Sequence, residues 1–204
     1  MCIRDRVSPK QLRGEATVSR LLTAALDVFD SSGHDGFTVH AVTAASGVSL
    51  GSLYHHFGNF DGLAAALYSR CMDELLDSLI AALDNVRAAR TGIQAIVVAY
   101  LEFTRDNPAA ARFIHASAYA GYLAAHADRV TAAKAPKLKV IAEWLRPHVA
   151  AGRLVAIAEP LVEILLIGPV AETARRWLSG MPGLDIEQAI KVLPERIWHS
   201  LRAD

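Results

Sequence analysis

Apolar residues along the chain recur at spacings of three and four, the period of one helical face, and nowhere alternate like a strand over a useful length. Over residues 17–29 the face is Val18, Leu21, Leu22, Ala25, Val28 and Phe29, and Ser32-Gly33 ends it. Two short helical segments follow, Val39–Ser46 and Leu50–Phe57. After a Gly58-Asn59 break, a stripe of Phe60, Leu63, Leu67, Cys71, Leu75, Leu79 and Leu83 predicts a helix over residues 60–86, long enough to join two lobes. Further helices are predicted over residues 93–103, 109–125, 128–150, 158–178 and 186–201. Pro136, Pro147 and Pro194 are expected to break or shorten theirs, and Gly168-Pro169 to kink one. The pattern is that of an all-α chain of about nine helices. It divides into a disordered tail over residues 1–12, a three-helix unit over 13–60 and a larger helical unit over 61–204.

The stretch between Thr38 and Leu63 is the most specific. Thr38 and Ser49 stand as N-caps of the two short helices. Between them Ser46-Gly47 forms the turn, with Gly47 supplying a left-handed conformation that other residues resist. This is the layout of a helix-turn-helix, whose second helix lies in a DNA major groove. Val42, Val48, Leu53 and Phe57 are spaced to hold both short helices against the first long one. Ser49 and Ser52 offer hydroxyls and amides at a helix N-terminus, a natural phosphate site. Gly51 leaves the backbone free to approach DNA, and Tyr54, His55 and His56 continue along the same helix.

Composition narrows the field. Apolar residues make up 52% of 204, enough for a full core, and charges such as Glu102, Arg112, Glu163 and Glu172 interrupt every long apolar run. No run reaches the ~18 residues of a membrane span, and no secretory segment is read near the start. A cytoplasmic protein with no membrane partner is expected. Cys2 and Cys71 give no disulfide or metal framework, and Cys71 falls on an apolar stripe as a buried thiol. Lys plus Arg and Asp plus Glu both total 21, so charge by itself does not point to DNA. Before Phe60 the cations Arg4, Arg6, Lys10, Arg13 and Arg20 are matched by Asp5, Glu15, Asp27, Asp30 and Asp35. The opening Met-Cys-Ile-Arg-Asp-Arg resembles a translated adapter scar and is set aside, with Arg4 and Arg6. Asp73, Glu74 and Asp77 read as a solvated face, and the adjacent His55 and His56 point apart on a helix rather than sharing a metal. No nucleophile-and-base pair, phosphate loop or cysteine cluster is present, so no catalytic residue, metal or cofactor is predicted.

Residues 15–63 resemble the DNA-binding domain of the TetR/AcrR family of bacterial repressors. Thr38, Val42, Gly47, Val48, Ser49, Gly51, Leu53, Tyr54, His56, Phe57 and Leu63 stand at that family's spacing without a gap. The rest resembles the family in length, helix order, and the Gly168-Pro169 and Arg176-Trp177-Leu178-Ser179-Gly180 segments. The resemblance implies that Tyr54 and His56 meet backbone phosphates and that the Thr38 hydroxyl lies near another. The candidate DNA-contacting set is Thr38, Ser49, Leu50, Gly51, Ser52, Tyr54, His55 and His56. Two departures stand out. Phe60 occupies the place of a usual Lys or Arg, which removes one phosphate contact and about one unit of salt slope. Thr43 replaces a usual Ala, which is tolerable if its hydroxyl bonds back into the helix.

In the larger unit, Tyr100, Phe103, Phe113, His115, Tyr119, Tyr122 and Trp144 either fill a core or line the ligand cavity that the resemblance implies. Such a cavity suits an apolar or aromatic small molecule, and Arg112 and Glu163 either orient its polar end or lie on the surface. Leu161, Ile164, Leu165, Gly168, Ala171 and Trp177, with Ile190, Ile197, Trp198 and Leu201, exceed what one lobe needs, or else close their own core. The family pairs these two helices across a two-fold axis, which implies a homodimer reading a palindromic operator in double-stranded DNA. The expected function is a ligand-responsive transcriptional regulator, a repressor released by a small molecule. The alternatives are a helical small-molecule-binding protein that has lost DNA binding, and an all-α enzyme.

Overall fold

The computed structural model describes residues 9–117 and 120–203. It is all-α: ten helices, and no strand among the described residues beyond an isolated Leu154–Arg202 bridge. They are α1 (Pro9–Gly36), α2 (Val39–Ser46), α3 (Leu50–Phe57), α4 (Phe60–Ala81), α5 (Ala89–Asp106), α6 (Pro108–Ser117), α7 (Gly121–Ala125), α8 (Ala127–Ala150), α9 (Glu159–Leu178) and α10 (Ile186–Leu201). One more helix than predicted arises because the segment expected over residues 109–125 divides into α6 and α7.

Local chemistry accounts for the boundaries. α1 is described from Pro9, so helix already runs through residues 9–12 of the expected tail. Residues 1–6, set aside above, lie outside the described residues. The first long helical run ends at Ser32-Gly33 as expected: Gly33 turns to φ 65° and ψ −163°, and a short second helical piece carries α1 on to Gly36. α4 stops at Ala81, short of the predicted Val86, where Asn85 takes a left-handed φ of 62°. Pro136 and Pro147 sit inside α8, Pro169 inside α9 and Pro194 inside α10, and none ends its helix. A proline removes one rung of the ladder, and here tertiary packing holds the helix across the gap.

α4 is the axis of the molecule. Its buried stripe of Leu63, Leu67, Cys71, Leu75 and Leu79 is covered by α5, α6 and α8. Burial pushes the Cys71 thiol up to about 12, which leaves it an inert packing group. α8 is fastened along α4 and the link that follows it by polar contacts at three levels. Arg129 reaches the Gly62 carbonyl at 3.4 Å, and the Trp144 indole donates to the Val86 carbonyl at 2.9 Å. Between them Lys137 lies between Asp73 at 2.5 Å and Asp77 at 2.6 Å. Asp73 and Asp77 are therefore not a merely solvated face. α10 packs on α5 and α9.

Gly92 of α5 is fixed by this arrangement, because a Cβ there would run into the indole ring of Trp144. Gly92→Ala is expected to lower stability by about 1–3 kcal/mol. Urea unfolding measures this, and an unchanged midpoint would contradict the packing of Trp144 on α5.

Candidate nucleic-acid interface

The two short helices are fixed by caps that their sequence supplies. The Thr38 hydroxyl accepts from the Ala41 amide at 3.3 Å, and the Ser49 hydroxyl from the Ser52 amide at 3.2 Å. Gly47 closes α2 at φ 63°. The Thr43 hydroxyl donates to the Val39 carbonyl at 2.9 Å, so this departure is absorbed within α2. Val42, Val48, Leu53 and Phe57 are buried and pin α2 and α3 into one core with α1 and α4.

What remains faces outward. Thr38, Ser49, Leu50, Gly51, Tyr54 and His55 are exposed, while Ser52 and His56 are half-buried. Leu50 and Tyr54, one turn apart, are 44% and 43% exposed. A Cβ on Gly51 would meet nothing within 4 Å, so the chain's own packing does not demand glycine there. Two large side chains flank this bare backbone on a capped helix. His56 leans back toward α1 and shares a cleft with Gly14, Glu15, Val18, Leu22 and Arg70. Arg70 ties α4 to α1 through the Leu22 carbonyl and the Thr23 hydroxyl, each at 3.2 Å.

Phe60 explains its own departure. Its ring packs on Phe37 with centroids 4.9 Å apart, and Phe37 meets Phe29 at 5.8 Å and Phe113 at 5.7 Å. Phe29 and Phe113 close the set edge-to-face at 4.8 Å. The position that the resemblance assigns to a phosphate-binding cation belongs here to an aromatic cluster joining the three-helix head to α6. Beside it the Arg112 guanidinium holds Asp30 of α1 at 2.6 and 3.0 Å. Phe113 and Arg112 thus sit at the head–body junction.

The other candidate ligand residues separate. Tyr100 is buried with its ring centroid 6.5 Å from that of His115, and Tyr122 is hydrogen-bonded to Ser117. Burial pushes the Tyr100 hydroxyl up, and the neighbouring Tyr68 adds to it; Tyr68 in turn feels Tyr122. Tyr68, Tyr100, His115, Ser117 and Tyr122 therefore bring polar tips together within the apolar body. Tyr68 and Ser117 were not predicted. Tyr68 looks like one more position on the α4 stripe, and only the bond to Tyr122 distinguishes Ser117. Phe103 is buried in α5, Trp144 is committed to Gly92, and Glu163 is exposed on α9. Tyr119 lies outside the described residues.

Of the expected dimer residues, Leu161 and Ile164 are exposed at 50% and 61%. Gly168 is also exposed, while Leu165, Trp177, Ile190 and Trp198 are half-buried. Ile197 and Leu201 are buried in the chain's own core, because that side of α10 faces α5 and α9.

The architecture is a helix-turn-helix head on a helical body. Residues 21–67 match the family model described as bacterial regulatory proteins, tetR family. An uncharacterised HTH-type transcriptional regulator of Mycobacterium bovis is 26% identical over 98 residues, 48% of this chain and 50% of the relative. The chain spans about half the length of that relative. The HTH-type transcriptional activator FasR of Mycolicibacterium smegmatis is 27% identical over 197 residues, 97% of this chain and 86% of FasR. The crystal structure of the transcriptional regulator FadR from Bacillus subtilis, in complex with stearoyl-CoA, shares the fold with a TM-score of 0.73. It is 14% identical, and the likeness covers 88% of this chain and 96% of that one. These relatives are regulators of transcription rather than enzymes. No helix among the described residues is long and apolar enough to cross a membrane.

Two imidazoles in the body make stability depend on pH. Burial pushes His115 down, with Arg175 adding and Glu172 opposing. Burial also pushes His148 down, helped by Arg153, whose Nε donates to His148 Nδ1 at 3.1 Å. Both values lie lower in the folded chain, so the unfolded chain takes up protons first. Their stabilisation is full above the ordinary imidazole value of about 6.5 and drains as pH falls below it. The thermal midpoint should drop between pH 7 and pH 5, and the His115→Gln/His148→Gln double variant should show a flatter profile. A wild-type profile as flat as the variant's would contradict this.

Proposed function

We propose that the chain binds double-stranded DNA through α3 and controls transcription as a homodimer, with a small molecule in the body acting on the head. The observation that carries this is the outer face of α3: Leu50, bare Gly51 and Tyr54 on a helix whose caps and core leave it no freedom. With residues 13–60 as head and 61–204 as body, Ser49, Ser52, Tyr54 and His56 meet phosphates, with Thr38 beside another. Leu50 and Gly51 face base edges, and His55 lies against a phosphate. An exposed leucine suits the methyl group of thymine. α3 carries no Arg, Lys, Asn or Gln to grip guanine or adenine bidentately. The exposed Leu161, Ile164 and Gly168 of α9 support an isologous pairing, which would set two heads on a palindromic operator.

The effector enters among Tyr68, Tyr100, His115 and Tyr122, and a long acyl chain carried on coenzyme A suits it. The apolar body with a few polar tips and the likeness to FadR bound to stearoyl-CoA support this class. Blocking a promoter in the cytoplasm until the ligand releases the DNA makes the protein a repressor. The likeness to an activator, FasR, favours a second reading in which the same contacts recruit transcription.

Fluorescence anisotropy with duplex from the region upstream of its own coding sequence, at ~50 mM salt where phosphate contacts are strong, tests the DNA reading. Wild type should bind, and Tyr54→Ala should bind at least about tenfold more weakly with unchanged unfolding. No wild-type binding would overturn the reading. Stearoyl-CoA at ~100 times its Kd should add about 2.7 kcal/mol of stability and weaken the DNA complex. No effect on either would remove acyl thioesters as effectors.

A further inference from the structure

The DNA-facing module is unusual in its charge. From Phe37 to Phe60 the chain carries no Lys, Arg, Asp or Glu, and apart from Tyr54 its titratable side chains there are His40, His55 and His56. His40 on α2 and His55 on α3 are exposed, and His56 is half-buried with its ring centroid 5.2 Å from that of His55. The residue that opens α4, Phe60, is turned into the aromatic cluster and supplies no cation in their place. A duplex is bound chiefly through cations on its phosphates, and α2 and α3 have only imidazoles to offer.

Resting on the DNA reading above, we propose that protons on His40, His55 and His56 set the affinity of this head for DNA, so that the complex tightens as pH falls. Histidine is the side chain whose charge changes between about pH 5 and pH 8. A phosphate beside an imidazole favours its charged form, so forming the complex draws protons onto the head. The imidazole then holds its proton more tightly in the complex than in the free protein. The gain is complete below the free value and is lost as pH rises through the bound one. The packed neighbours supply the fixed background. Glu15 of α1 and Arg70 of α4 line the cleft with His56. Arg20 and Asp27 line a cleft of α1 against Ala45 and Ser46 of α2. His34 and Asp35 lie in the last turn of α1, and Asp61 in the first turn of α4. Arg13 and Arg20 are exposed on α1 and attract phosphate at every pH in this range; they set the level of binding, and the imidazoles set its slope.

The test is anisotropy with the upstream duplex at fixed ionic strength from pH 6.2 to pH 8, with circular dichroism at each pH to establish that the chain is folded. One linked proton changes affinity tenfold per pH unit, so wild-type affinity should fall by about tenfold or more between pH 6.5 and pH 7.5. The salt slope should be steeper at the lower pH by about 0.9 for each imidazole that meets a phosphate. The His40→Gln/His55→Gln/His56→Gln variant should bind with a nearly flat profile, while Arg20→Gln should weaken binding equally at both ends. Because His56 is half-buried, His40→Gln/His55→Gln at exposed positions keeps the test open if the triple variant does not fold; it should lose part of the slope. Wild-type binding that does not change with pH would overturn the proton proposal and leave the DNA reading standing. So would a slope that survives in the folded variants. No binding at any pH would overturn the DNA reading itself.

Discussion

Four phenylalanine rings hold this structure in its working form. Phe29 near the end of α1, Phe37 in the link to α2, Phe60 at the start of α4 and Phe113 in α6 meet with centroids 4.8–5.8 Å apart. Each such contact contributes about 0.5–1.5 kcal/mol beyond the area it buries. Together they are the point at which the three-helix head and the body share one core. The neighbouring Arg112–Asp30 pair lies half in solvent, so it gives the junction direction rather than strength.

This junction links the chemistry of the two halves. α4 runs from it into the body and carries Tyr68, while α6 carries Phe113 at its middle and His115 and Ser117 in its last turn. On the proposed function, a molecule settling among Tyr68, Tyr100, His115 and Tyr122 pushes on the two helices that bear the rings. α8, fastened along α4 by Arg129 and Lys137, resists bending of α4. The displacement is therefore directed through α6 to Phe113 and on to the head. That is a coupling between two sites through one packed element, which is what allosteric control of DNA affinity requires.

Much of the head was legible in the sequence because its determinants are local. A cap acts on an amide three residues away, and a left-handed turn needs only its own glycine, so Thr38, Ser49 and Gly47 reveal the motif without the rest of the chain. The periodicity likewise marks most of the helices. What could not be read depends on distant partners. Phe60 is visible as a departure, but only the fold brings Phe37 to it. Phe113 and Trp144 resemble pocket aromatics until the fold shows one inserted at the junction and the other laid over Gly92. Ile197 looks like a dimer residue because an apolar stripe does not say whether its own chain or a second copy covers it. The prolines in α8 and α10 mislead for a similar reason, since a missing rung matters less where packing already holds both sides.

The central claim is that Phe113, far along the chain from α3, controls the head. The most direct measurement is duplex-binding anisotropy of Phe113→Leu at fixed pH and salt, on protein shown to be folded. A change in affinity of about fivefold or more, with Tyr54 and the caps of α3 untouched, is the predicted result. Unchanged affinity with only a loss of stability would mean that the ring cluster is simply core, and would contradict the account.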